Sequence, residues 1–313
     1  MKIRGNITVL IQYVKPALQL TRMPIVLAVL PTFFLGSLFA LIVGAEFHLA
    51  NFLWGFAILF LIEIATSYAN DYFDFEADSY NQQFGFSGGS GVLIKYPELR
   101  PFAKWMAISL MILALFLCLL FIIAAGFSLW ILGYIAVALF FCWFYTAPPL
   151  RLVYRGLGEL PHLLGGIMFA GWGYIILVGS LDISLLVFAL PLGILGLTVI
   201  LNFEIPDREA DMHGGKKNIV VGKGRPFTFT VILLLYVITS LYYLALAMSG
   251  WLSNKINFWI VTLISVLPLV FASHAALQHP SDQTLSTSFT IRTAVSLFVS
   301  LIVFTMYLVI VAT

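Results

Sequence analysis

The sequence runs to 313 residues, of which 61% are hydrophobic and only 10% charged, with a formal net charge of +2. A soluble domain of ordinary composition carries about 25% charged residues, so this chain cannot cover a soluble surface of its own size and lipid must cover much of it. Lys and Arg are too sparse and scattered for a nucleic-acid surface, so no nucleic-acid partner is expected, and Cys118 and Cys142 sit inside apolar runs with no disulfide or metal-ligand spacing.

A bilayer core takes about 20 apolar residues per helix. Nine stretches approach that length, at roughly 23–43, 50–69, 103–124, 128–146, 158–178, 184–202, 227–248, 256–277 and 292–313. The expected fold class is therefore all-α, a polytopic membrane protein with nine transmembrane helices. The first run follows Lys2, Arg4, Lys15 and Arg22 as a signal peptide would. It is longer than a cleavable apolar region and similar runs follow it, so it reads as the first span. The short link Gly126–Ser128 predicts an antiparallel hairpin between the third and fourth spans.

With nine spans, every Lys and Arg except Lys255 falls on the side of the N-terminus. That asymmetry is a positive-inside signal. It predicts a cytoplasmic N-terminus and an external C-terminus. Residues 1–313 read as one transmembrane domain, with cytoplasmic cap loops at about 70–102, 147–157 and 203–226. Long connections in a compact protein are functional or disordered. The first and third of these are not of low complexity, and each opens on a run of carboxylates.

The first run is Asn70-Asp71-Tyr72-Phe73-Asp74-Phe75-Glu76-Ala77-Asp78, and the second is Glu204-Ile205-Pro206-Asp207-Arg208-Glu209-Ala210-Asp211. If the second span continues as a helix, a turn of about 100° per residue puts Asn70, Asp71, Asp74 and Asp78 on one face. The same spacing puts Glu204, Asp207 and Asp211 together and turns Glu209 away. Glu63 lies two turns before Asn70 on nearly the same face. An ionisable group within a span looks into a cavity or at a partner, so Glu63 is a candidate substrate contact.

Carboxylates this close repel, and a positive species must compensate. Mg²⁺ takes one or two carboxylates together with substrate phosphates. Two such faces meeting in space would hold two Mg²⁺ ions bridged by a diphosphate, and would neutralise the charge that grows on it as an allylic C–O bond breaks. Lys216 and Lys217, after Gly214-Gly215, are suited to phosphate, and Arg22 at the mouth of the first span is placed to do likewise. His162, three residues after Glu159, is a candidate proton acceptor or acceptor-substrate contact, or else one half of a hydrogen-bonded interior pair. The plainer alternative for either acidic run alone is a solvated loop capping helix ends. Two runs on one membrane face weigh against it.

At these residues the sequence resembles the UbiA superfamily of intramembrane prenyltransferases. The likeness rests on the Asn-Asp-x-x-Asp-x-x-x-Asp run at Asn70–Asp78 and the Asp-x-x-x-Asp run at Asp207–Asp211. Tyr145-Thr146-Ala147-Pro148-Pro149-Leu150-Arg151-Leu152 and Tyr154-Arg155-Gly156-Leu157-Gly158-Glu159 are also similar to that family. The resemblance implies helices around a central cavity, Mg²⁺-dependent ionisation of a polyprenyl diphosphate, and capture of the carbocation by a small acceptor within the lipid bilayer. By matching positions it implies that Asn70, Asp71, Asp74, Asp78, Asp207 and Asp211 hold diphosphate through Mg²⁺. It also matches Lys217 to a basic residue after the second motif, and Tyr145 and Arg151 to the loop after the fourth span.

Two departures bear on this. Asn218 follows Lys217 where a Thr is common soon after, and Arg22-Met23-Pro24 stands where an Arg-Pro pair is common. The Tyr-Arg-Gly-Leu-Gly-Glu stretch looks most like the dihydroxynaphthoate prenyltransferases of menaquinone synthesis. The Gly-rich run Phe86–Gly91 is not assigned by the likeness. It reads either as a flexible cap loop or as backbone N–H groups near a ligand.

The expected activity is Mg²⁺-dependent prenyl transfer to a small, aromatic acceptor such as 1,4-dihydroxy-2-naphthoate. Two rivals stay open. One is transfer to a lipid-glycerol, haem, chlorophyll or sugar-phosphate acceptor. The other is a cation transporter using the acidic clusters, although the spans carry few ionisable residues and no inverted repeat is evident.

Overall fold

The computed structural model describes residues 13–81, 87 and 89–313. Lys2, Arg4, Phe86 and Gly88 from the readings above lie outside the described residues. All regular structure among the described residues is helical: a first helix over residues 13–19 (α1), then α2 (Met23–Ala28), α3 (Leu30–Val43), α4 (Leu49–Phe73), α5 (Phe75–Asp78), α6 (Val92–Lys95) and α7 (Arg100–Ala125). The chain continues through α8 (Trp130–Phe144), α9 (Glu159–Val178), α10 (Ile183–His213), α11 (Ile219–Lys223), α12 (Arg225–Ser249), α13 (Phe258–Gln278) and α14 (Gln283–Ala312).

Each of the nine expected apolar runs falls on one of these helices or, for the first, on a bent pair. Among the described residues, seven helices (α4, α7, α9, α10, α12, α13 and α14) are long and apolar enough to cross a membrane, and Tyr13–Ala28 with Leu30–Val43, bent by 44°, forms an eighth candidate. α8, with 15 residues, is shorter. The outward faces carry exposed Trp105, Ile123, Ile183, Leu263 and Ile310, side chains that only a lipid environment covers.

Two boundaries differ from expectation, and both bear on the site. The sixth run does not stop near residue 202: α10 continues through Pro206 to His213, so the second acidic motif is helical and not a loop. Pro206 removes one ladder bond, the one that would reach the Asn202 carbonyl. Beside it, the Ile205 carbonyl also accepts from Arg225 Nε at 3.0 Å and the Pro206 carbonyl from Gln283 Nε2 at 2.9 Å, which ties α10 to α12 and α14. The first motif does the reverse. α4 ends at Phe73, Asp74 adopts φ −88° and ψ 5°, and Asp78 belongs to the separate α5. Asn70, Asp71, Asp74 and Asp78 therefore do not share one continuous helix face.

Small residues set how closely α3, α9 and α10 approach, as is common between membrane helices. A Cβ on Gly36 would stand 1.8 Å from the Ala170 carbonyl oxygen of α9, and one on Gly166 would stand 2.3 Å from the Leu192 carbonyl oxygen of α10. Around them lie fully buried Phe33, Phe39, Trp172 and Phe188. Phe39 and Phe188 stack at 4.3 Å between centroids. This packing fixes the walls of the interior.

Candidate active site

The two acidic motifs meet. Lys216, in the turn after α10, puts its Nζ 3.1 Å from Asp74 Oδ2 and 3.1 Å from Asp211 Oδ1. Burial favours the neutral amine, but the carboxylates of Asp74, Asp211 and Asp78 outweigh it and hold Lys216 protonated well above the usual lysine range. The remaining lone pairs are satisfied locally. Tyr154 donates to Asp74 Oδ1 at 2.8 Å, and Asn218 Nδ2 donates to Asp211 Oδ2 at 2.7 Å. Arg22 stands 3.7 Å from Asp71, and Thr146 donates to Asn70 Oδ1 at 3.2 Å.

The described residues of the Gly-rich run reach both motifs. Ser90 donates its hydroxyl to Asp71, and its backbone N–H reaches the same carboxylate at 3.4 Å. Ser87 donates to Asp207 Oδ1 at 2.8 Å. Between them Gly89 has φ +76°, and a Cβ there would stand 2.2 Å from Asp78 Oδ2. Only glycine meets both demands without strain. Burial, reinforced by the charges of Asp74 and Asp71 and opposed by Lys216, pushes the Asp78 carboxyl up to about 8.

Asn70, Asp71, Asp74, Asp78, Asp207, Asp211, Lys216, Arg22, Ser87 and Gly89 line an acidic pocket that also contains Glu204. Glu204 is 4% exposed, and both its carboxylate oxygens are buried without a hydrogen-bond partner. Beside the acidic pocket lies a mostly apolar cavity with about 1290 Å³ of empty space including its open mouth, walled by α3, α4, α8, α9, α10 and α14. Arg22, Ile25, Asn70, Tyr145, His162 and Phe203 line both, so the two spaces adjoin at that rim. Glu63 lines the apolar cavity.

The expected residues thus divide. Asn70, Asp71, Asp74, Asp78, Asp207, Asp211, Arg22, Tyr145, His162 and Lys216 line the acidic pocket, and Glu63 faces the adjoining cavity. Lys217 is exposed and lines neither space; its backbone N–H bonds the Val153 carbonyl instead, and Lys216 is the lysine turned inward. Arg151 also lines neither space, and its guanidinium stands 3.9 Å from the Tyr154 ring centroid. His162 and Glu159 do not pair: His162 Nδ1 meets the Gly158 carbonyl at 3.1 Å, and Glu159 accepts from the Ile219 N–H at 2.8 Å. Glu209 turns away from the pocket, as the helical spacing predicts, and is clasped by the buried Arg225.

Ser87, Ser90, Tyr154, Asn218 and Glu204 were not singled out as site residues by sequence. Glu204 was legible from its i, i+3, i+7 spacing with Asp207 and Asp211. Ser87 lines the pocket, while Ser90, Tyr154 and Asn218 bond its carboxylates, through folds of loops that periodicity does not encode.

The donor set fits a hard divalent cation shared with phosphate: carboxylate oxygens from α4, α5 and α10 converge, and Glu204 offers two uncompensated ones. Among the described residues, no three Asp, Glu, His or Cys side chains are already gathered as a metal cage.

The chain and its fold have known relatives. The UbiA prenyltransferase family model matches residues 29–302. The chain is 23% identical over 190 residues to the 1,4-dihydroxy-2-naphthoate octaprenyltransferase of Bacillus subtilis (strain 168), a match spanning 60% of each protein. Its fold is similar to a UbiA homolog from Archaeoglobus fulgidus bound to GPP and Mg²⁺, with TM-score 0.64, 16% identity, and coverage of 95% of this chain and 99% of that one. It is also similar to the apo structure of a UbiA homolog from Aeropyrum pernix K1, with TM-score 0.59, 18% identity, and coverage of 89% and 97%. An all-helical chain rich in membrane-length helices, with paired acidic motifs joined over an apolar cavity and a family match across most of its length, belongs to the UbiA prenyltransferase family.

Proposed function

We propose that the protein transfers a prenyl group from a Mg²⁺-bound polyprenyl diphosphate to a small hydroxylated aromatic acceptor, 1,4-dihydroxy-2-naphthoate being the first candidate. The observation that carries this reading is the adjacency of the two spaces. An acidic pocket suited to a metal diphosphate opens directly onto an apolar cavity suited to a hydrocarbon chain. The Bacillus subtilis relative supports the choice of acceptor, and the Archaeoglobus fulgidus homolog bound to GPP and Mg²⁺ supports the choice of donor and metal.

In this reading Asn70, Asp71, Asp74, Asp78, Asp207 and Asp211 hold Mg²⁺ at the rim. The metal, when bound, supplies Lewis-acid stabilisation to the departing diphosphate. Lys216 and Arg22 hold the anionic oxygens from the protein side. Tyr154, fixed by Arg151, orients Asp74, and Ser87 and Ser90 orient Asp207 and Asp71. The apolar walls keep water from the allylic cation, and Tyr145, Phe203 and His162 stand where the acceptor must meet it.

Residues 1–313 act as one membrane domain. Nine crossings, with α8 as the short one and the bent pair as the first, put the acidic pocket and the N-terminus on the cytoplasmic side, as the charge asymmetry favours. The test is to incubate membranes containing the protein with labelled geranylgeranyl diphosphate or a longer homologue, Mg²⁺ and a panel of acceptors. Label should move to 1,4-dihydroxy-2-naphthoate; transfer confined to a glycerol-lipid or sugar-phosphate acceptor would overturn the aromatic assignment.

A further inference from the structure

Glu63 is a carboxyl in the middle of α4, a helix of membrane-spanning length, and it is only 8% exposed. Among the described residues its carboxyl has neither an ion-pair nor a hydrogen-bond partner. Thr66, one turn on, spends its hydroxyl on the Ile62 carbonyl at 2.8 Å. Cys142, on α8, lies near enough to feel Glu63's charge, but a thiol is a weak donor. Apart from Arg22 at the rim, Glu63 is the one Asp, Glu, Lys or Arg side chain lining the apolar cavity. It lies seven residues below Asn70, about 10 Å deeper along the helix axis. An unpartnered ionisable group at such depth is costly and marks a ligand contact.

The reaction's own chemistry narrows the ligand. A prenyl chain is hydrocarbon and offers no hydrogen-bond donor. A diphosphate offers only acceptors and belongs with the acidic pocket and its lysine. The remaining reactant is the acceptor molecule. We propose that Glu63 is a specificity-determining residue, accepting a hydrogen bond from an O–H or N–H at the deep end of the acceptor. The proposal rests on the prenyl-transfer reading and adds to it a requirement on the acceptor. The acceptor carries a donor at the end away from the diphosphate, and any carboxylate it bears is turned toward Arg22 and away from Glu63. A buried acceptor left without its donor rejects analogues that lack one.

The test compares the wild type, Glu63→Gln and Glu63→Leu in detergent. The acceptor probes are 1,4-dihydroxy-2-naphthoate, 4-hydroxybenzoate and their O-methylated counterparts. Thermal stabilisation by Mg²⁺ plus geranylgeranyl diphosphate is measured in parallel and should be alike in all three proteins. The wild type should use at least one hydroxylated probe and discriminate at least about 100-fold against its O-methyl form. Glu63→Leu should raise KM for the hydroxylated probe at least about tenfold and erase most of that discrimination, whereas Glu63→Gln, whose amide oxygen still accepts, should stay within a few-fold of wild type. Unchanged KM and discrimination in Glu63→Leu, or a wild type that takes the O-methylated probes equally well or uses neither hydroxylated one, would overturn the proposal. A wild type that Mg²⁺ and geranylgeranyl diphosphate fail to stabilise strikes the prenyl-transfer reading itself, and the proposal with it.

Discussion

Asp74 and Asp211, far apart in the chain, share one ammonium: Lys216 Nζ lies 3.1 Å from an oxygen of each. A single half-buried cation thus fastens the end of α4 to the end of α10 and pins the two acidic motifs at one rim. The same contact keeps two carboxylates satisfied where solvent does little.

Lys216→Met leaves those carboxylates buried without their cation. Removing one partner of a buried pair costs about 3–5 kcal/mol, so this variant should unfold at markedly lower temperature in EDTA. Excess Mg²⁺ should restore part of the loss by supplying charge in its place. Thermal unfolding in detergent, with and without Mg²⁺, reads both effects. A melting temperature equal to wild type in EDTA would show that the pair carries no stability.

Asp74→Ala and Asp207→Ala should each reduce prenyl transfer by about a thousandfold or more, because each removes a carboxylate that would hold the Mg²⁺ neutralising charge on the departing diphosphate. Both should still insert in the membrane, since neither residue belongs to the apolar surface. Turnover assays alongside membrane fractionation check this, and near-normal turnover in either variant would count against that carboxylate.

Asp78 gives the pH dependence a sign. Its carboxyl is pushed up to about 8 by burial and by Asp74 and Asp71, so in the metal-free protein it holds its proton at pH 7. A metal ligand must be deprotonated, so Mg²⁺ competes with that proton. Mg²⁺ affinity, measured calorimetrically without added diphosphate, should rise as pH passes through about 8. Asp78→Asn should lessen the rise in that range.

Gly166→Val tests the packing that shapes the cavity. Even the first added carbon would stand 2.3 Å from the Leu192 carbonyl oxygen, and a backbone oxygen cannot swing aside as a side chain can. The expected loss is at least the roughly 1–3 kcal/mol typical of overpacking, seen as a lowered melting temperature together with weakened acceptor binding.

Much of the fold was legible because lipid imposes a simple rule. Apolar runs of the required length became helices, from Leu49–Phe73 to Gln283–Ala312. The motif carboxylates were legible because helical spacing groups Glu204, Asp207 and Asp211 and turns Glu209 away. What escaped depends on breaks and long-range contacts. Nothing local says that α4 stops at Phe73, or that α10 runs on through Pro206 to a segment held by Arg225 and Gln283. Nor does spacing reveal which of two adjacent lysines turns inward, or that Ser87 and Ser90 each reach a different motif. The Gly-rich run became interpretable only once Gly89 was found against Asp78.

The most direct test of the account is prenyl transfer under metal control. Purified protein is given labelled geranylgeranyl diphosphate and 1,4-dihydroxy-2-naphthoate, first in EDTA and then with Mg²⁺ restored. Label should reach the acceptor only after Mg²⁺ returns, and should not do so in Asp74→Ala or Asp207→Ala. Transfer that proceeds undiminished in EDTA, or survives loss of either carboxylate, would contradict the claim that the two joined motifs hold a metal diphosphate.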